Sequence, residues 1–145
     1  MKIYTLKVGL AGTPDIWRTI EIKGDQTLDQ LHRAIFKTYE RFDEHLYAFF
    51  LSNKPWDSSS EYGLPDPDGD RKIKNSKRTK IDSLHLEEKK KFLYIFDFGD
   101  EWHHPIQVLS IREEEAAGRY PRIVESKGEA PPQYPYLENE DEEGE

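Results

Sequence analysis

Apolar residues alternate at the start of the chain. Tyr4, Leu6, Val8 and Leu10 share one parity, and Ile3, Thr5 and Lys7 share the other. A period of two sends successive side chains to opposite faces of a strand, so residues 2–10 are predicted to be one. Gly12-Thr13-Pro14-Asp15 is turn chemistry, and Ile16, Ile20 and Ile22 mark a second strand over 16–22. Two strands joined so tightly predict a hairpin. Gly24-Asp25-Gln26 ends it. Thr27-Leu28-Asp29-Gln30 then matches a capping box, a Thr cap with Gln three residues on. Leu28, Leu31, Ile35, Phe36 and Tyr39 follow at spacings of three and four, which predicts an amphipathic helix of about 14 residues. Residues 46–51, Leu-Tyr-Ala-Phe-Phe-Leu, are apolar on both parities and predict a central strand covered on both faces.

Order weakens from Ser52 to Lys80, where Pro55, Ser58, Gly63, Pro65, Pro67 and Gly69 mark a long loop. A short strand is expected near Ile73, and a helical turn from Ile81 to Leu86. Phe92-Leu93-Tyr94-Ile95-Phe96 is the next strand, and 104–111 another, with Gly99-Asp100-Glu101 joining them. Ile111 to Ala117 reads as a short helix stopped by Gly118, and the proline-rich stretch after Tyr120 as irregular. This order of hairpin, helix, strand, loop, turn and strand is that of the β-grasp. The expected fold class is α+β, a β-grasp (ubiquitin-like) mixed sheet with one main helix. Its first and last strands would lie side by side in the middle, with an added C-terminal β-hairpin strand. A ferredoxin-like fold would place a helix between the first two strands instead.

Composition changes this picture at the C-terminus. The last eight residues of the 145 carry six acids and no base. Leaving out those six acids brings the net charge from −8 to −2. The expected organisation is a single domain over 1–137, with a long loop at 52–80, and an acidic, disordered tail over 138–145. A near-neutral body is not a generally basic nucleic-acid-binding surface. There are no cysteines, so disulfides, thiolate metal sites and Cys nucleophiles are excluded. No apolar run approaches the roughly 20 residues needed to span a bilayer. Lys7 interrupts any apolar leader, and the expected localisation is cytoplasmic with no membrane partner.

The densest polar cluster is Asp97-Phe98-Gly99-Asp100-Glu101-Trp102-His103-His104, at a strand-to-strand turn. Three readings compete. Gly99 supplies a positive φ and Asp97 or Asp100 accepts turn N–H bonds. Alternatively Trp102 anchors a binding surface rimmed by charge. Or His104 and a carboxylate form a metal or proton-transfer site. Alternation along a strand sends His103 and His104 to opposite faces, so one ion cannot take both. His32, beside the apolar stripe of the helix, and His45, opening the third strand, could contribute. His32 is read first as a hydrogen-bonded core residue. Arg18 shares parity with Ile16 and Ile20, and a charge there calls for a carboxylate partner. Trp17 lies on the other parity, exposed or covered by the C-terminal segment.

Asp66-Pro67-Asp68-Gly69-Asp70 imitates a calcium loop, but Gly stands fourth rather than sixth and Lys77 replaces the closing Glu, so a solvated turn is expected. Arg71, Lys72, Lys74, Lys77, Arg78 and Lys80 follow and could meet phosphates. No phosphate-cradling Gly loop, nucleophile elbow or zinc-protease helix is present.

Trp17-Arg18, Thr27-Leu28 with Leu31-His32, His45-Leu46 and above all Tyr94-Ile95-Phe96-Asp97-Phe98-Gly99-Asp100-Glu101-Trp102-His103-His104 resemble the plasmid pRiA4b ORF-3-like family over about residues 3–135. The resemblance implies no established activity. Members occur on plasmids, as insertion-element passengers and in chromosomes, which suggests a DNA-linked role by association only. Its matching polar residues here are Trp17, Arg18, His32, His45, Asp97, Asp100, Trp102 and His104. This chain departs from it at Thr19, where a second Arg is usual, at His103, where an acid is more frequent, and in lacking the cysteines that flank the Pro-Pro segment. The functional expectation is a non-enzymatic binding or adaptor domain that recognises a protein or small molecule through the 97–104 turn and requires no cofactor. Its rivals are a divalent-metal-assisted hydrolase using His104 with Asp97 or Asp100, and a nucleic-acid-contacting accessory protein using the 71–80 loop. Asp97, Asp100, Trp102 and His104 are expected to lie together around one concavity floored by Arg18 or His32, with Asp97 and His104 emerging on one face because Ile95 and Ile106 are taken to face one core. The carboxylate would then raise the His104 pKa.

Overall fold

The computed structural model describes residues 1–69 and 72–135. The order is β1 (Lys2–Gly9), β2 (Trp17–Lys23), α1 (Leu28–Thr38), β3 (Tyr47–Phe50), β4 (Glu61–Gly63), β5 (Lys74–Asn75), β6 (Lys91–Phe96), β7 (Trp102–Glu113) and β8 (Arg122–Lys127). All eight strands share one sheet, in the order β5-β4-β3-β6-β7-β1-β2-β8. The β4–β5 pair is parallel, and the other described pairs are antiparallel. The chain is therefore α+β, one α-helix on a mixed sheet.

The helix starts where the capping box puts it. The Thr27 hydroxyl accepts from Gln30 N, and the Gln30 side chain accepts from Thr27 N. Leu28, Leu31 and Ile35 turn into the core, and Tyr39 caps the C-terminus. Glu40 follows at φ 56°, which ends the helix sooner than the apolar spacing predicts, after 11 residues. The helix-side core gathers Tyr4, Leu6, Val8, Ile20, Ile22, Phe49, Tyr94, Phe96, Ile106 and Val108. A smaller core, Ala48, Phe50, Leu93 and Ile95, lies on the other face with Phe98 packed on it. Trp56 meets Phe50 and Phe98 edge-on there, at 5.6 and 5.1 Å. β3 is thus buried on both faces, as its unbroken apolar run demands.

The centre of the sheet departs from expectation. The 97–101 turn folds β7 back on β6, and β7 then pairs with β1. The first strand is consequently separated from 91–96, and both its neighbours are antiparallel. This topology leaves a β-grasp assignment unconfirmed. β7 also continues to Glu113, through part of the segment expected to be helical, because β1 offers partners as far as Lys2. The stretch read as irregular holds β8, which adds to the free edge of β2. All six β8 residues are exposed, so no apolar period announces the strand. Between 52 and 80 the loop carries β4, β5 and two short 3-10 turns. The acidic tail and Arg71 lie outside the described residues. No described helix is long and apolar enough to cross a membrane.

Candidate functional site

The 97–101 turn is organised by Asp97. Its backbone is left-handed, φ 62°, as is that of Glu101 at 52°. Gly99, expected to supply the positive φ, does not. Aspartate tolerates that region because its own carboxylate can bond the following backbone. Here Asp97 Oδ1 accepts from Gly99 N at 3.1 Å and from Asp100 N at 3.3 Å. Its carbonyl accepts from Glu101 N, and its own N–H donates to Leu46 O. Asp97 Oδ2 lies 3.5 Å from His45 Nε2.

The expected Asp97–His104 pair does not form. Cross-strand register sets Tyr94 opposite His104, Phe96 opposite Trp102 and Phe92 opposite Ile106. Those residues join the helix-side core, whereas Ile95 belongs to the opposite core. The assumption that Ile95 and Ile106 share a face fails because β6 is buried on both sides. His104 is fully buried, and its Nδ1 lies 2.6 Å from Gly9 O. A carbonyl only accepts, so Nδ1 carries the proton. Burial pushes the His104 pKa well below its usual value, opposite to the expected rise, and leaves Nε2 a bare acceptor. Among the described residues that Nε2 is buried without a partner.

His32 is a core residue, as its first reading had it. Its Nδ1 shares a 2.7 Å hydrogen bond with Tyr94 Oη, and its ring stacks on Tyr47 at 3.6 Å. Burial lowers its pKa to about 4. Tyr47 Oη donates to Asp29 Oδ1 at 2.6 Å, next to Ser76 Oγ. Arg18 is buried but lacks the carboxylate that its position called for. Its Nη1 donates to Trp17 O and Lys127 O, at 2.9 and 2.8 Å, tying β2 to β8. Two carbonyls meet Nη1 where an ion pair was expected. Its Cζ lies 5.1 Å from the Tyr39 ring centroid. Trp17 takes the other parity, with Lys7 Nζ 5.0 Å from its ring centroid.

The sequence reading missed Arg41. It follows the helix by three residues and is 93% buried, its relative exposure being 7%. Its guanidinium carbon lies 5.3 Å from the Tyr39 ring, 5.0 Å from Phe96 and 5.1 Å from Trp102. Among the described residues no carboxylate lies within ion-pair distance, and Arg41 Nη1 is buried without a partner. Burial pushes its pKa down to about 10, and Asp97 offsets part of that through space. Trp102 Nε1 completes the set of buried side-chain polar atoms without partners among the described residues. His104 joins the same cluster through Tyr39, 4.5 Å between ring centroids.

Gln133 was missed as well. It is 2% exposed and pins the C-terminal segment, accepting from Phe42 N and Asp43 N and donating to Asp43 O. Tyr134 Oη meets His45 Nε2 at 2.7 Å, so His45 links the turn to this strap. Between strap and sheet runs a cleft of about 500 Å³, lined by Leu10, Ala11, Trp102, His103, Pro131 and Pro135. The exposed Asp100 and Glu101 also border it. The predicted residues therefore divide. Trp102 and Asp100 line the cleft, Arg18 and His104 are buried by Tyr39, His45 and Asp97 support the turn, and His32 and Trp17 lie apart. No group of three or more His, Asp or Glu side chains able to hold a metal occurs among the described residues. Of the basic loop, Lys72, Lys77, Arg78 and Lys80 are exposed, while Lys74 Nζ donates to Ser59 O and lies over Tyr62.

A family model described as plasmid pRiA4b ORF-3-like protein matches residues 2–134. An uncharacterized protein of Sinorhizobium fredii, y4hQ, is 28% identical over 134 residues. That match takes in 90% of this chain but 65% of the relative, so the chain spans less than two thirds of that protein. A crystal structure of a protein of unknown function from Methanosarcina mazei, MM3350, superposes with a TM-score of 0.75 at 27% identity. It covers 99% of this chain, which covers 82% of it.

Proposed function

Since the chain belongs to the plasmid pRiA4b ORF-3-like family, and the similar proteins above are uncharacterized or of unknown function, we propose from the geometry that it is a non-enzymatic binding module whose recognition surface is the cleft beside the 97–104 turn. One observation carries this reading. The buried polar atoms without partners among the described residues, Arg41 Nη1, Trp102 Nε1 and His104 Nε2, all belong to the cluster that Trp102 joins to the cleft. Native interiors pair nearly all such atoms, and exceptions concentrate where a protein must meet something else. The cleft has the size of a small-molecule site and an aromatic wall. Metal-assisted hydrolysis draws no support from the His104 environment, where Nδ1 is committed to Gly9 O and no group of three ligating side chains forms among the described residues.

The test is a fragment screen by NMR on ¹⁵N-labelled protein, repeated with Trp102→Phe. Fragments should move the Trp102 indole N–H signal, and the variant should lose their binding. A screen whose hits bind the variant equally well would remove the cleft from consideration.

A further inference from the structure

A second hollow, of about 300 Å³, lies across the β1–β2 turn from the cleft, and Leu10 and Thr13 border both. We infer that it takes a single nucleotide, its phosphate on Lys7 and Lys91 and its base against Trp17 and Pro105. This site is separate from the cleft and stands or falls without it. Strand register builds it. Lys91, Gln107 and Lys7 are direct cross-strand partners on β6, β7 and β1, so they form one row on one face of the sheet. In the next row Leu93 stands opposite Pro105, and Gly9 opposite Trp17. Leu93 identifies the face, since it belongs to the core away from the helix. Gly9 raises no side chain beside Trp17, and a Cβ there would stand 3.4 Å from Pro105 Cγ. The gap left at Gly9 is the floor, and the 10–16 turn closes one end.

Charge names the head of the ligand. Lys7 and Lys91 line the hollow, and among the described residues no acid lines it. Neither lysine has an ion pair among the described residues. Asp15, in the adjoining turn, lies 3.6 Å from Lys127 instead. On a chain of net charge −8 the hollow is a local reversal of sign. The two lysines start two strand spacings apart, roughly 10 Å, which their flexible stems can close on one group. A carboxylate brings them a single charge, whereas a phosphate monoester brings about −1.5 to −2 and three acceptor oxygens. The remaining walls name the body. Lys7 Nζ lies 5.0 Å from the Trp17 ring centroid, so a ring set against Trp17 carries its anionic substituent to a cation. Aromatic surface flanked by cations takes a base by stacking. Gln107 and Asn53 border the same space with amides, each both donor and acceptor, as the edge of a base requires. The volume is at the small end of ligand pockets and admits one nucleotide rather than a duplex.

The experiment titrates the full chain with adenosine monophosphate, adenosine, ribose 5-phosphate and inorganic phosphate, following the Trp17 indole N–H by NMR. The nucleotide should bind at least tenfold more tightly than either of its halves. Lys7→Gln combined with Lys91→Gln should remove that advantage and leave adenosine binding unchanged. Both lysines are exposed, so the fold does not depend on them. Gly9→Val fills the floor at a position without positive φ, and should weaken nucleotide and adenosine alike. Inorganic phosphate binding as tightly as the nucleotide would reduce the site to two surface cations and overturn the inference. So would silence of Trp17 towards all four probes. A nucleotide that moves Trp102 and not Trp17 would also overturn it, while leaving the cleft as a binding site. Failure of the cleft in the fragment screen would leave a Trp17 response to the nucleotide untouched. A 5′-phosphorylated trinucleotide, run in parallel, distinguishes a free nucleotide from the end of a single strand.

Discussion

Two polar groups are buried between the helix and the sheet, and they are built in opposite ways. Beside α1, His32 bonds to Tyr94 and Tyr47 bonds to Asp29 and Ser76, the His32 and Tyr47 rings stack, and none of these side-chain atoms is buried without a partner among the described residues. Past the helix end, Arg41, Trp102 and His104 each leave one atom unmatched. Both groups pay the desolvation cost of polar burial, but only the first recovers it in full within the chain. A closed network of this kind specifies how the helix sits on the sheet. An open one is retained at a cost in stability, which is what a binding site requires.

The largest predicted effect concerns pH and tests whether both imidazoles are neutral. Burial holds the folded-state pKa of His32 near 4 and that of His104 well below 6.5. In that window the unfolded chain binds more protons than the folded one, so stability rises with pH. The contribution is fully present above about pH 6.5 and is lost as pH falls toward the folded values. For His32 the loss by pH 4 is roughly 3 kcal/mol, with His104 adding in the same direction. Urea denaturation between pH 7.5 and 5 reads the slope before carboxylates dominate. A flat profile would mean that these rings bind protons in the folded chain as they do in the unfolded one, and the contrast between the two groups would collapse.

Tyr94→Phe comes next, because it opens the closed network. It leaves His32 Nδ1 buried without its partner at an otherwise unchanged volume. The expected cost is about 1–3 kcal/mol in chemical denaturation. A change near zero would show that the His32–Tyr94 bond is dispensable. Asp97→Ala should cost about 1–2 kcal/mol, through two lost turn hydrogen bonds and a left-handed position that alanine disfavours. Asp97→Asn should recover most of this, since its amide oxygen can still accept. If Asn costs as much as Ala, the charge beside Arg41 matters more than the turn.

How much of this could be read beforehand depends on whether local chemistry or pairing decided it. The capping box at Thr27 and the stripe from Leu28 to Tyr39 are local, and they located the helix. The doubly apolar run at 46–51 located β3 and implied burial on both faces. β6 shares that property, so Ile95 joins the opposite core from Ile106 and the expected Asp97–His104 pairing fails. Parity relates residues along a strand, but it does not say which of two cores a residue joins. β8 carries exposed side chains throughout and exists because β2 offers an edge, a fact of pairing rather than of composition. Arg41 left no local signal either, because a cation just after a helix is ordinarily a solvated partner of the helix dipole. Only the rings of Tyr39, Phe96 and Trp102, brought from three parts of the chain, reveal that it is buried.

The smallest predicted effect separates the two groups most sharply, because it should lie near zero where Tyr94→Phe brings a clear loss. Arg41→Met exchanges a buried cation for an apolar side chain of similar length. The change forfeits three ring contacts, each worth about 0.5–2 kcal/mol when desolvated. It also removes the cost of keeping a guanidinium out of water without a counter-charge, several kcal/mol before relaxation. These terms oppose one another, so the net change should lie within about 1 kcal/mol of zero, on the stabilising side if the desolvation term prevails. A guanidinium that served the fold through a strong internal partner would behave differently, and losing it would cost about 3–5 kcal/mol. Chemical denaturation of Arg41→Met beside Tyr94→Phe therefore settles the matter on one scale. A loss as large as that of Tyr94→Phe would make Arg41 a structural residue and deprive the open cluster of its binding role. A near-neutral result would mean that the folded chain gains nothing from this arginine, and its burial then finds its reason in a ligand.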